Sequence, residues 1–84
     1  GLVTTSPNPT HNTLNITLNL LIPADVDVDI YDPGFNVKYH SDKGYLVPET
    51  YQYQVDMSSY TAGVYYLILS YNGIQGPATL VVKI

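Results

Sequence analysis

Apolar and polar side chains alternate along most of this chain, and the alternation predicts strands. Leu14, Ile16, Leu18, Leu20 and Ile22 are interleaved with Asn15, Thr17, Asn19 and Leu21, the period of two of a half-buried strand, which Pro23 ends. Val26, Val28 and Ile30 repeat the pattern against Asp25, Asp27 and Asp29, predicting a second strand with its aliphatic row inward and its carboxylates in water. Asp32-Pro33-Gly34 reads as a proline-preset turn with glycine at a position able to take positive φ. Phe35 to Ser41 returns from it, with Val37 and Tyr39 on one face and Lys38 and His40 on the other, and Asp42-Lys43-Gly44 reads as a second polar turn. Tyr51, Tyr53, Val55 and Met57 alternate with Gln52, Gln54 and Asp56 in a further strand. Gly63 to Tyr71 is apolar on both faces, which suits a central strand with Val64, Tyr66 and Ile68 available to the core. Asn72-Gly73 has the composition of a type I′ hairpin and leads into a last strand, Ala78 to Ile84. No window of ten or more residues keeps a helical period.

Six or seven short strands separated by turns predict an all-β fold, a small antiparallel immunoglobulin-like β-sandwich of about seven strands, with a barrel as the lesser possibility. The stretch Thr4 to Thr10 contains Pro7 and Pro9 and cannot be helical, so residues 1–10 read as a linker leading into one domain of residues 11–84. Gly1 followed by Leu2, with no initiator Met, suggests a cleaved or excised fragment.

Composition narrows the function. Three lysines and no arginine against seven acidic residues leave a net charge of −4, which excludes the basic stripe a nucleic-acid binder needs and disfavours anionic membrane surfaces. No run approaches the length of a membrane span. Zero cysteines remove disulfides, thiolate metal sites and thiol nucleophiles together.

The remaining constellations are weak as chemistry. Asp25, Asp27 and Asp29 stand roughly 6.6–6.8 Å apart on one strand face, too far to share one cation without loops, and an EF-hand loop starting at Asp25 fails at Ile30 and Asn36. A solvated face is the favoured reading, with a weak loop-assisted calcium site as the minority one. His11 and His40 are too few for zinc, and none of the five serines sits in a nucleophile elbow. Neither catalysis nor a cofactor is expected. Asn15-Ile16-Thr17 is a glycosylation sequon inside a strand, where chance occurrence is the favoured reading. Nine tyrosines offer a second reading: Tyr51 and Tyr53, joined by Tyr65 and Tyr71, could form a platform for polysaccharide, although tyrosine also simply fits a pleated half-buried surface.

Ser6-Pro7-Asn8-Pro9-Thr10 followed by Leu14-Asn15-Ile16, then Val26-x-Val28-x-Ile30-Tyr31-Asp32, then Asp56-Met57-Ser58-Ser59-Tyr60-Thr61-Ala62-Gly63-Val64-Tyr65-Tyr66-Leu67, and finally Thr79-Leu80-Val81-Val82-Lys83, resemble the C-terminal sorting domain of the type IX (Por) secretion system. The resemblance runs from Ser6 to Lys83; the leading Pro7-Asn8-Pro9 and the segment from Asp56 through Gly63, Val64 and Tyr65 are its most specific parts. It implies a seven-stranded immunoglobulin-like sandwich that directs an exported cargo through the periplasm to the cell surface. It also implies three partners: the secretion machinery, the adjacent cargo domain, and a sortase-like surface peptidase that removes the module. The family's turn after Tyr31-Asp32 commonly carries x-x-Gly-Lys/Arg, whereas this chain reads Pro33-Gly34-Phe35-Asn36. The expected docking element is the terminal strand, Thr79, Leu80, Val81, Val82, Lys83 and Ile84, engaged by pairing of a strand edge. The alternatives are an accessory carbohydrate-binding module or a spacer of a secreted hydrolase.

Overall fold

The two aliphatic rows that alternation sends inward, Leu14, Ile16 and Leu18 in one strand and Val26, Val28 and Ile30 in the next, are wholly buried in one core. The computed structural model describes all 84 residues as seven strands: β1 (Leu2–Ser6), β2 (Thr13–Asn19), β3 (Ala24–Tyr31), β4 (Val37–Leu46), β5 (Thr50–Asp56), β6 (Gly63–Tyr71) and β7 (Ile74–Lys83). They form a three-stranded sheet, β1-β2-β5, and a four-stranded sheet, β4-β3-β6-β7, with every strand pair antiparallel. The fold is the expected immunoglobulin-like sandwich. Leu20, Ala24, Val55, Met57, Tyr65, Leu67, Leu69 and Val81 complete the dry layer.

Four local expectations are corrected. Leu2–Ser6 is not linker backbone but an edge strand, pairing Val3 with Leu18 and Thr5 with Ile16. Its polar β-branched residues suit an edge that shows one face to water, and the prolines fall just beyond its end. Second, β2 stops at Asn19, where the chain leaves the sheet, so Ile22 is 69 % exposed although it shares the phase of Leu18.

Third, Asp42-Lys43-Gly44 is a bulge inside a continuous β4. Val26 pairs with Gly44 and Asp27 with Asp42, which leaves Lys43 unpaired, while Gly44 takes φ 74° and donates its N–H to the Asp42 carboxylate. Fourth, β6 is out of phase with the expectation. Tyr65, Leu67 and Leu69 fill the core, Leu67 and Leu69 as the sheet partners of Ile30 and Val28, and Val64, Tyr66 and Ile68 lie on the outer face. A strand apolar on both sides carries no periodic cue to which side is inner. The Asn72-Gly73 turn has φ of 52° and 78°, as a type I′ hairpin requires.

Candidate functional site

Period two divides the six residues of the terminal strand segment into two groups. Val81 is fully buried and Lys83 nearly so, its Nζ donating to the Ile84 carbonyl, with Thr79 half-buried on the same side. Leu80, Val82 and Ile84 alternate with them, and Leu80 and Ile84 are each 51 % exposed. Only this second group offers side chains to another molecule.

The backbone edge beside them is occupied. The Asn8 amide donates to the Leu80 carbonyl at 2.9 Å, and its Oδ1 accepts the Val82 N–H at 3.0 Å, so one side chain supplies the donor and acceptor that a neighbouring strand would. Thr10 continues the ladder in parallel: its N–H donates to Val82 and its carbonyl accepts from Ile84. Thr10 is fully buried and its hydroxyl donates to the Thr13 carbonyl. Pro7 and Pro9 flank Asn8, and neither has an N–H to spare for this ladder. The strand edge that sequence reasoning reserved for a partner is therefore filled by the Pro7-to-Thr10 strap, which that reasoning had placed in a linker.

The other motif residues hold the fold together. Asp56 Oδ1 accepts the Ser58 N–H, turning the chain so that Met57 plugs the core and Tyr60 packs against it. Gly63 adopts φ 151°, accessible to glycine alone, as it enters β6. Val64 pairs with Val82 on the outer face, while the Tyr65 ring is buried and its hydroxyl donates to the Thr61 carbonyl at 2.6 Å, in the manner of the tyrosine corner of immunoglobulin-like sandwiches.

On the outer face of the four-stranded sheet an aromatic group assembles that sequence reasoning did not anticipate. Asp32 Oδ1 accepts the N–H groups of Gly34 and Asn36, and the Asn36 N–H bond above all, aided by the Asn36 side-chain amide, holds the carboxyl below the ordinary carboxylate range. In this turn the positive φ falls on Phe35, at 59°, and not on Gly34. The Phe35 ring lies almost parallel to Tyr66, at 10° and 5.9 Å between centroids, with Tyr31 tilted beside it at 5.7 Å. The sequence signal was the absence of the family's glycine at this turn.

Farther along the same face Asp29 is largely buried and meets His40 Nδ1 at 2.5 Å. That hydrogen bond, then the Asp29 charge, raises the His40 pKa above 6.5, and Asp27 and Asp42 add to it. The aspartate row is thus not uniformly solvated. No three acidic or histidine side chains come together as an ion site.

Tyr51 and Tyr53 stack at 4° and 6.4 Å, but both rings pack against the core at the β5 edge, and Lys43 Nζ sits 4.3 Å over the Tyr53 ring. They do not join Tyr65 or Tyr71 in one exposed platform. The outer face of the three-stranded sheet shows water a neutral polar surface, where Ser6, Asn15, Thr17, Gln52 and Gln54 line a shallow depression and Asn15 accepts from Gln54.

The family model for the secretion system C-terminal sorting domain matches residues 5–83. No curated protein matches the chain.

Proposed function

The chain belongs to the family of secretion system C-terminal sorting domains, and from that premise we propose that it is read by the secretion machinery through the outward side chains of β7, not through a free backbone edge. As a type IX sorting signal it directs an exported cargo protein to the cell surface. Such a module acts by being recognised, and no residue is assigned a catalytic role.

One observation carries the docking proposal: Asn8 and Thr10 already satisfy the edge of β7 from Leu80 to Ile84, while Leu80 and Ile84 keep half their surface in water. Strand addition there would require the strap to leave, whereas side-chain docking requires no rearrangement. Deleting residues 79–84 would take Val81 from the core, so the informative change is Leu80→Glu with Ile84→Glu, which leaves the core untouched. A cargo fusion carrying both changes is expected to stay in the periplasm while its circular dichroism and melting match the parent; normal surface delivery would overturn the docking proposal. We also infer that a sortase-like surface peptidase cuts upstream of Leu2, because proteolysis needs extended, unpaired backbone and Leu2–Ser6 is paired with β2.

A further inference from the structure

The aromatic group on the outer face is not explained by the needs of the turn that carries it. At φ 59° glycine or asparagine is the relaxed choice, yet the chain places a phenylalanine there and leaves it 66 % exposed. Strained residues of this kind persist where the side chain serves something besides folding. Val37 and Leu80 are likewise about half exposed beside it, and Tyr31, Tyr66, Val64 and Val82 are partly exposed on the same face. A contiguous apolar patch on so small a domain marks a contact surface.

Charge selects the occupant. Beyond the Asp29–His40 pair, Asp27 lies on the same face of β3 as Tyr31, and Asp42 of β4 pairs with Asp27. Of the three lysines, Lys43 is engaged over Tyr53 and Lys83 is buried, which leaves Lys38 alone near the aromatic end. Two copies of this chain would therefore oppose acid to acid, and an anionic surface would be repelled. An extended segment alternating aliphatic and basic side chains satisfies both halves. Its aliphatic groups cover Phe35, Val37 and Leu80, and its cations lie on the aromatic faces and beside Asp27.

We propose that the outer face of the four-stranded sheet, centred on the Phe35–Tyr66 stack, docks an extended lysine- or arginine-bearing segment of a protein partner. This rests on the sorting reading, since the patch continues from Leu80 of β7, and it names the chemistry of the partner surface.

The test is a titration of the isotope-labelled 84-residue chain with a capped Arg-Leu-Arg-Leu-Arg-Leu peptide, followed by amide resonances. Shifts are expected at Tyr31, Phe35, Val37, Tyr66 and Leu80 and not at Asn15 or Thr17, and a Glu-Leu repeat of equal length should produce none. Phe35→Gly keeps the backbone the turn prefers, so it should melt no lower than the parent while weakening the basic peptide by roughly tenfold. Equal response to the acidic peptide, unchanged affinity in F35G, shifts with a neutral oligosaccharide in place of the peptide, or self-association on sedimentation would each overturn the proposal. In the cargo fusion, delivery blocked by the Leu80/Ile84 pair but unaffected by F35G would remove this inference and leave the sorting reading standing.

Discussion

Asn8 behaves as a strand residue built from a side chain, and its contribution can be bounded. Its two hydrogen bonds reach the backbone of β7 across 72 and 74 positions of sequence, so losing them frees the strap as well. Both contacts are exposed and water replaces part of each, which places Asn8→Ala at a cost of about 1–2 kcal/mol. Urea unfolding should show a lower midpoint with an unchanged slope, and hydrogen exchange at the Val82 amide should quicken. His40 gives a prediction with a sign. Asp29 raises its pKa in the folded state above 6.5, so the pair stabilises most while the imidazole is protonated in both states, below that value. The contribution fades as pH rises through the raised folded pKa. The melting temperature of the parent minus that of His40→Gln should therefore be largest near about pH 5.5 and shrink toward about pH 8; a difference that grows with pH would contradict the pairing.

Strands with one wet face were legible because their pattern reports both periodicity and phase. The rows of β2 and β3 went to the core as read, and the two positive-φ residues of the Asn72-Gly73 hairpin were written in its composition. Where the pattern was silent, the reading failed for physical reasons. In β6 both faces are apolar, so the strand was recognisable but its inner face was not. In β1 the inward residues are only Val3 and Thr5, too short an alternation to stand out from polar linker. Glycine in Asp42-Lys43-Gly44 signals positive φ equally well for a turn or a bulge, and only the partner strand decides. Of the candidate site, the segment Thr79 to Ile84 is legible in the sequence only as an apolar terminal strand, and the strap that fills its edge depends on contacts between opposite ends of the chain. The limit of alternation is itself measurable. Leu18 and Ile22 share a phase, yet one is fully buried and the other 69 % exposed. Leu18→Ala should cost about 2–5 kcal/mol and Ile22→Ala close to nothing in chemical denaturation. Against a total of about 4–13 kcal/mol for a chain this size, the first change approaches the unfolding threshold.

The two ends of the chain meet on one side of the sandwich, and that junction governs how the whole molecule treats its edges. β1 covers one edge of β2, while Asn8 and Thr10 cover the C-terminal part of the edge of β7. Gly1, Leu2 and Val3 line a small cavity with Leu69, Tyr71, Gly76, Pro77 and Thr79 where the sheets come together. Removing residues 1–10 would therefore do more than shorten a tether. It would expose the backbone of β2 between Asn15 and Asn19, free the N–H of Val82 and the carbonyls of Leu80 and Val82, and uncover Leu18 and Ile16 at the new edge. Unpaired edges flanked by apolar rows recruit further strands, so the shortened chain, residues 11–84, should melt lower and associate with rising concentration on sedimentation, with strand content preserved or increased in circular dichroism. Asn8→Ala in the 84-residue chain, which opens only part of one edge, should remain monomeric and separate loss of the strap from loss of β1. A shortened chain that stays monomeric with the parent's melting temperature would return residues 1–10 to the status of a linker. Association would instead place the domain boundary before Leu2 and make the strap part of the machinery that keeps β7 available to partners through its side chains alone.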